Sequence, residues 1–311
     1  MRPVWIDTDA GFDDLAAILT VLARPDIAVD GISLVAGNTP LDGVVRNACR
    51  MKAFFGWRAP LHAGRDRPLL GPLVTAQDVL GEDGMRTAGR SLPDEQAPLD
   101  GRNALAAMAA WLERSEAATV LALGPLTNLA ALLLARPDLA ARIGEVMWMG
   151  GSADRGNHTA AAEFNAFVDP EAVAVVLGSG VPFRMVGLDA CRQVPVRLAD
   201  AAALRACGTP RALLLADLLE GYVRIASPDG SRPMALYDPV AAAALLDAQA
   251  VRFDPMHVAV ELAGTHTRGM TVCEWRIPRK AEANARVAVQ ADADRVRGRV
   301  LAALAGKEPS Q

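Results

Sequence analysis

The sequence of 311 residues is poor in several features on which whole classes of function depend. Its four cysteines are scattered and form no CxxC pair, which argues against a zinc site and a disulfide framework and favours a reducing compartment. Only three of the 32 basic residues are lysines, and no basic run accompanies the net charge of −4. We therefore expect no nucleic-acid partner.

Long apolar runs are also absent. No uncharged apolar stretch reaches the 18 residues typical of a membrane span, and the residues before Asp7 contain no apolar core of a secretory signal. We therefore expect a cytoplasmic protein without a membrane partner. With 51% hydrophobic residues, the chain can bury one large α/β core or two small ones.

Short apolar runs alternate along the chain with longer segments of helical periodicity. Buried strands are predicted at 3–6, 31–37, 118–123, 145–150 and 182–188. Helices are predicted at about 12–24, 40–56, 102–115, 126–137, 169–179, 196–207, 209–226 and 237–248. Because alternating strands and helices indicate βαβ units, we expect an α/β fold with an open, mostly parallel sheet flanked by helices.

The pattern changes after about residue 250. Segments that alternate like the strands of a meander lie at 256–262, 269–276 and 284–291. A last helix is predicted at about 292–305. No linker separates this part from the rest, so we predict a single domain over residues 1–311, completed by these strands and this helix.

Negative charge is concentrated in the segment "WIDTDAGFDDLAAI" at 5–18, where a strand gives way to a helix. Eight positions hold four aspartates: Asp7, Asp9, Asp13 and Asp14. Two unit charges about 4 Å apart interact by roughly 4 kcal/mol at an effective dielectric constant of 20. A helix N-terminus stabilises each carboxylate by only about 0.3–1 kcal/mol. A cation therefore explains the cluster better than helix capping with a solvated charge run, and its oxygen donors suit calcium or magnesium.

Two further segments have a related form. "LYDPVAAAALL" at 236–246 places Asp238 just before an apolar helix, with Pro239 at the first helical position. Helix capping and metal binding are equally good interpretations of this aspartate taken alone. "LALGPLTNLAALLLA" at 121–135 is again strand, glycine turn and helix, so backbone carbonyls at the strand end are free to coordinate a cation.

Taken together, these segments resemble the inosine–uridine-type nucleoside hydrolases. "DTDAGFDDLAAI" is similar to the DTDxGxDDxxAI signature of that family. Six further blocks agree in the same order, namely "GNT" (37–39), "LGPLTNLA" (123–130), "MGG" (149–151), "GNHTAAAEFNAFVDPEAV" (156–173), "VGLD" (186–189) and "YDPVAA" (237–242). The resemblance implies a Rossmann-like nucleoside hydrolase fold, one bound calcium ion, and hydrolysis of the N-glycosidic bond of ribonucleosides to ribose and free base.

The resemblance also implies roles for individual residues. It places calcium on Asp9, Asp14, Asp238 and the backbone carbonyl of Leu123, and makes Asp9 the general base that takes a proton from water. The implied sugar contacts are Asp13, Asn38 and Asn165 at the 2′- and 3′-hydroxyls, Asp238 also at the 3′-hydroxyl, Asn157 and Glu163 near the 5′-hydroxyl, and Met149 beneath the ring. Asp7 has no implied role, and we expect it to make a buried supporting hydrogen bond.

The sequence departs from the family pattern where the leaving base would lie. Tyr237 stands where inosine–uridine-preferring members have histidine, and Leu80 stands where many members have a second histidine. Tyr237 can pack against the base or donate a proton, although a phenol of pKa near 10 is a poor acid at neutral pH. Candidates in the loops expected to cover the base are Glu82, Tyr222 and Arg224. His158 lies beside Asn157, whereas the other histidines are expected to be packing or surface residues, and Trp148 is expected to lie in the core.

The resemblance and this departure predict calcium-dependent nucleoside hydrolysis with purine nucleosides slightly favoured, a role in nucleoside salvage, and a homodimer or homotetramer. Alternatives are a non-catalytic nucleoside- or ribose-binding protein that kept the fold, and a hydrolase of an atypical riboside. A haloacid-dehalogenase-type phosphatase also places DxD after its first strand, but that motif continues Gly-Thr, whereas this chain continues "AGFDD".

Overall fold

The computed structural model of the chain describes residues 1–276 and 281–306. The strands are β1 (Arg2–Thr8), β2 (Ile27–Leu34), β3 (Leu61–Ala63), β4 (Ala118–Ala122), β5 (Ile143–Met149), β6 (Phe183–Val186), β7 (Pro195–Val196), β8 (Met234–Ala235), β9 (Val251–Val260), β10 (Thr271–Glu274) and β11 (Ala285–Ala291). The α-helices are α1 (Phe12–Leu22), α2 (Leu41–Phe55), α3 (Gln77–Leu80), α4 (Ala104–Arg114), α5 (Thr127–Ala135), α6 (Phe164–Val168), α7 (Pro170–Gly178), α8 (Leu188–Cys191), α9 (Leu198–Arg205), α10 (Pro210–Ala226), α11 (Asp238–Leu246) and α12 (Ala293–Leu304), and residues Pro137–Arg142 form a 3₁₀ helix.

Nine strands form one mixed sheet in the order β10-β9-β11-β6-β5-β4-β1-β2-β3, and β7 pairs with β8 separately. The strands from β3 to β11 in that order are parallel, while β9 pairs antiparallel with both β11 and β10. The predicted open, mostly parallel α/β sheet is therefore confirmed. β2 and β3 follow β1 on one side of it in the sheet, and β4 then pairs with the other side of β1. In such sheets ligands bind at the carboxyl ends of the strands beside this reversal.

The three C-terminal strands do not form the predicted meander. β11 lies between β6 and β9 and is parallel to β6, so β9, not β10, is the middle strand of this group. Val287 and Ala288 of β11 pack into the two opposite cores of the sheet, which suits an interior position. β10 takes the edge, where Val272 is half exposed.

Apolar side chains cover both faces of the sheet. Val4 and Ile6 of β1 face a core formed with α1, α2, α10, α11 and α12, whereas Trp5 faces a core formed with α4, α5 and α7. Trp148 is fully buried in the second core, as predicted. Within the part of the chain that the structure describes, no helix combines the length and the apolar character needed to cross a membrane.

A buried carboxylate fastens α10 to the loop before α4. Asp217 Oδ2 accepts the backbone N–H of Arg90 at 2.9 Å and its Nη1 at 2.7 Å, and Oδ1 accepts Arg205 Nη2 at 2.7 Å. Burial alone would raise the pKa of Asp217, but the hydrogen bonds from Arg205 and Arg90 outweigh it and lower the pKa to about 2. The ion pairs therefore stabilise the folded chain wherever this carboxyl is ionised.

We expect Asp217→Asn to lower the free energy of unfolding by about 2 kcal/mol at pH 7, the equivalent of the shift in pKa. Because the pKa of Asp217 is lower in the folded than in the unfolded chain, the substitution should destabilise the protein fully above about pH 4, and this destabilisation should disappear as the pH falls toward 2. Urea unfolding of the wild type and the variant at pH 7 and pH 3 measures the difference in the free energy of unfolding. Asp138→Asn, which removes an exposed ion pair with Arg136, is the control and should change little. A pH-independent difference would contradict the assignment.

Candidate active site

The turn after β1 holds its aspartates through a network of short contacts. Ala10 has φ of 52°, a left-handed conformation that is uncommon outside glycine. Thr8 Oγ1 accepts the N–H of Ala10 at 3.1 Å and donates to Asp14 Oδ1 at 2.5 Å. Asp14 Oδ2 accepts the N–H of Gly11 at 2.8 Å. The fully buried Asp14 thus holds the turn against the start of α1.

Asp9 is fixed from the loop after β2. Its Oδ2 accepts the backbone N–H of Asn38 at 2.8 Å, and only 3% of the residue is exposed. A Cβ atom at Gly37 would lie 2.2 Å from that same oxygen, so glycine alone lets the two loops come this close. Burial, and then the charge of Asp14, raise the pKa of Asp9 well above its usual range.

Three carboxylates converge beside Asp9. Among the residues that the structure describes, Asp13, Asp14 and Asp238 place oxygen atoms within 4.8 Å of one another, a spacing that lets them share one metal ion. Asp238 is the first residue of α11 and is 3% exposed. Burial and the charges of these neighbours raise its pKa well above the usual range, and burial and Asp14 raise the pKa of Asp13 to about 7. A donor set of carboxylate oxygens fits a hard cation such as calcium or magnesium.

The strand ends next to this cluster are joined by Asn165. Its Nδ2 donates to the carbonyl of Leu123 after β4 at 2.8 Å and to that of Met149 at the end of β5 at 3.0 Å. Glu163, just before α6, accepts the backbone N–H groups of Gly151, Asn165 and Ala166 at 2.8, 2.9 and 3.0 Å. Burial raises the pKa of Glu163 to about 7 despite these bonds.

Asp7 lies beneath the site in β1 and makes the buried hydrogen bonds that the sequence predicted. Its Oδ1 accepts Asn128 Nδ2 at 2.7 Å and the hydroxyl of Ser33. Asn128 also accepts the backbone N–H of Arg65 at 2.7 Å, so this group ties β1 to β2, α5 and the loop after β3. Sequence reasoning missed Asn128, although a single amide in the apolar helix "TNLAALLLA" is a usable signal.

These residues surround a cavity of about 450 Å³, a size that suits a small molecule. The predicted site residues that line it are Asp9, Asp13, Asn38, Leu123, Met149, Asn157, Glu163, Asn165, Tyr222, Tyr237 and Asp238. Asp14 lies beneath the cavity wall. The structure thus brings together the carboxylates and amides for which the sequence predicted metal and sugar contacts.

The remaining wall is mostly apolar and includes Val79 and Leu80 of α3, Ile225 of α10 and Met234 of β8. Tyr237 lines it, and burial raises the pKa of this phenol to about 12, which weakens it as an acid.

Two side chains near this wall are held by neighbours. Tyr222 donates to the carbonyl of Ala235 at 2.8 Å and lies 3.5 Å from Asp13 Oδ2. His158 also lines the cavity, with its ring centroid 4.4 Å from that of Phe167, and burial lowers its pKa.

Two candidates for covering the base lie elsewhere. Glu82 lines a separate polar depression near Arg46 and Arg50, because the turn after α3 directs it away from the cavity. Arg224 is held by Glu220 Oε1 at 2.8 Å and by the carbonyl of Pro228 at 2.7 Å. Neither residue is among those that line the cavity, so the structure does not support the prediction that they contact a base.

Comparisons with known proteins agree with this architecture. The family described as inosine-uridine preferring nucleoside hydrolase matches residues 4–298. The chain is 36% identical to the pyrimidine-specific ribonucleoside hydrolase RihA of Salmonella arizonae, over 93% of this chain and 94% of that protein. It resembles the structure of a purine-preferring ribonucleoside hydrolase from Gardnerella vaginalis with a TM-score of 0.89, 26% identity and 98% of both chains covered. An inosine-guanosine nucleoside hydrolase is similar at a TM-score of 0.88, with 27% identity and 99% of both chains covered.

Proposed function

This chain belongs to the inosine-uridine preferring nucleoside hydrolase family and is a nucleoside hydrolase, and on that premise we propose that it cleaves the N-glycosidic bond of ribonucleosides with calcium at its aspartate cluster. The observation that carries the proposal is the convergence of Asp13, Asp14 and Asp238 beside a cavity that is lined by carboxylates and amides together with apolar side chains. Such a cavity matches a ribose with its base.

The cation would be held by Asp9, Asp14, Asp238 and the carbonyl of Leu123, with Asp13 within reach of it. When bound, calcium would supply positive charge that orients sugar hydroxyls and water and offsets the repulsion among these carboxylates. The oxygen-only donor set and the burial of Asp9, Asp14 and Asp238 fit that role.

The sugar would be recognised by groups that the fold already fixes. We assign the 2′- and 3′-hydroxyls to Asp13, Asn38, Asn165 and Asp238. Near the 5′-hydroxyl we place Asn157 and Glu163, and Met149 lies beneath the ring. Hydroxyls are donors and acceptors in a dense array, and carboxylates and amides are the side chains that match them.

Asp9 is assigned as the general base. It takes a proton from water as the water oxygen bonds to C1′, the C1′–N bond breaks, and the base leaves with the electron pair of that bond. Cleavage of a glycosidic bond passes through an oxocarbenium-like state with positive charge on the sugar. The surrounding carboxylates stabilise that charge where it develops.

The base would lie between Tyr237 and the apolar wall of α3 and α10. Tyr237 and Leu80 both line the cavity, and neither supplies an imidazole for protonating the leaving group. Because no imidazole is placed to protonate the leaving base, we propose that purine nucleosides are favoured. The names of relatives support both classes of base, because the RihA proteins are called pyrimidine-specific and the structural neighbours include purine-preferring enzymes.

A kinetic panel tests this function. We expect hydrolysis of inosine and guanosine at higher kcat/KM than uridine and cytidine, and ready hydrolysis of 4-nitrophenyl riboside, whose leaving group needs no protonation. Higher kcat/KM for uridine would contradict the purine preference. Hydrolysis of the nitrophenyl riboside alone would identify an enzyme for an atypical riboside. No hydrolysis of any riboside would overturn the proposed catalysis and favour the binding-protein alternative.

We also propose that the protein is a cytoplasmic homodimer or homotetramer that acts in nucleoside salvage. The support is the similarity of the whole chain to its family. Light scattering of the purified protein tests the assembly, and a monomeric mass would contradict it.

A further inference from the structure

We infer that Arg86 is a positioning residue that sets the base-side wall of the cavity by fastening α3 to α10. This inference rests on the proposed function, because it concerns how the same cavity holds a base. Arg86 itself is exposed and is not among the cavity-lining residues.

The helix α3 is short and buries little surface against the rest of the protein. It has four residues, none of them buried, and Val79 is 52% exposed although it lines the cavity. One contact anchors its start, where the N–H of Ala76 donates to the carbonyl of Asn38 at 3.2 Å. At its other end Arg86 Nε donates to the carbonyl of Val79 at 2.6 Å. A short helix with so little buried surface depends on such tethers for its position.

The backbone of Arg86 is in turn packed on α10. A Cβ atom at Gly221 would lie 2.5 Å from the carbonyl oxygen of Arg86, so the loop and the helix touch at this point. Two residues further, the N–H of Ala88 donates to the carbonyl of Asp217 at 2.9 Å, beside the ion pair of Asp217 with Arg90. The loop is therefore fixed to α10 independently of the Arg86 side chain.

This arrangement makes Arg86 a link between two walls of one cavity. Tyr222, next to Gly221 on α10, lines the cavity from one side, and Val79 and Leu80 line it from another. Without the Arg86 side chain, α3 would lose this hydrogen bond to the loop that packs on α10, and a base would have to order the wall as it binds. The assigned sugar contacts lie in α1, α6 and α11 and in the segments after β2 and β5, and they would keep their positions.

The test compares Arg86→Met with Arg114→Met, a matched control in which an exposed arginine also donates to a helix carbonyl, that of Ala110 at 2.8 Å. We expect R86M to raise KM for the preferred nucleoside about fivefold, with kcat and the inhibition constant of D-ribose changed less than about twofold, since uniform binding of the base is lost. Gly221→Ala, which displaces the same loop from the helix side, should raise KM in the same direction. R114M should leave all three constants unchanged.

A readout independent of turnover accompanies the kinetics. Hydrogen exchange at the amides of Leu80 and Gly81, which donate to Ala76 and Gln77, should be faster in R86M than in the wild type and unchanged in R114M. An unchanged KM, a parallel rise in the ribose inhibition constant, or unchanged exchange would overturn the inference. Wild-type protein that hydrolyses no riboside would instead overturn the proposed function, and the exchange measurement would still decide the role of Arg86.

Discussion

Asp9→Asn should lower kcat about 10²- to 10⁴-fold, the usual contribution of a positioned general base, and leave the fold intact. Asparagine has the size of aspartate, and its side-chain oxygen can still accept the N–H of Asn38. What it cannot do is take a proton from water. Because the substitution also removes one charge from a cluster of like charges, we expect no loss in thermal stability when calcium is chelated.

The measurement is kcat for the preferred nucleoside together with the inhibition constant of D-ribose, which should change far less than kcat. Asp78→Asn is the matched control, because Asp78 is a carboxylate that lines the same cavity outside the aspartate cluster. Its kcat should stay within about tenfold of the wild type, since it moves no proton in the proposed reaction. An Asp9→Asn enzyme that retained a tenth or more of wild-type kcat would contradict the role of Asp9 as base.

The half of this cavity that we propose for the sugar could be predicted from the sequence because each part is local to a strand end. Asp9 and Asp13 follow β1, Asn38 follows β2 and Leu123 follows β4, and parallel strands bring such positions to one edge. The helical and strand periods were long enough to predict these elements within a few residues. The sequence patterns did not predict the short elements β3, β7, β8, α3, α6 and α8, nor the pairing of strands distant in sequence, such as the place of β11 between β6 and β9.

The base half was not accessible in the same way. α3 and the loop that follows it have no apolar period, and their position depends on contacts such as Arg86 with Val79 and the close approach at Gly221. The same holds for Arg224 and Glu82, which do not line the cavity, because a loop's position in the sequence does not give the direction of its side chains. The polar contacts that hold this wall in place follow no periodic pattern, so they cannot be predicted from one sequence.

Removal of calcium should abolish turnover and lower the melting temperature. If calcium is present at about 100 times its dissociation constant, it stabilises the folded state by about 2.7 kcal/mol. For a chain of this length that corresponds to roughly 4 °C in the melting temperature, given the usual entropy of unfolding per residue. Calorimetry with a chelator and with added calcium measures the shift, and turnover should return when calcium is restored.

The variant Asp238→Asn tests whether the calcium-dependent shift in melting temperature comes from the aspartate cluster. In the chelated protein, Asp13, Asp14 and Asp238 place carboxylate oxygens within 4.8 Å of one another, with Asp14 and Asp238 buried, so removing one charge relieves repulsion. We therefore expect the variant to melt at or above the wild-type temperature in chelator and below it in calcium. Asp78→Asn should keep the full calcium-dependent shift.

The order of the two melting curves is the decisive observation. A role for Asp238 only as an acidic residue in the first turn of α11 would make the variant less stable in both conditions, because a carboxylate at a helix N-terminus contributes about 0.3–1 kcal/mol whether or not a cation is present. A metal-binding role makes the order reverse between chelator and calcium. Magnesium should restore less of the shift, because it requires a small octahedral site and gives up its water reluctantly, whereas calcium accepts several protein oxygens in flexible geometry. A full shift with magnesium and none with calcium would support a metal site at these aspartates but contradict the proposal that the ion is calcium.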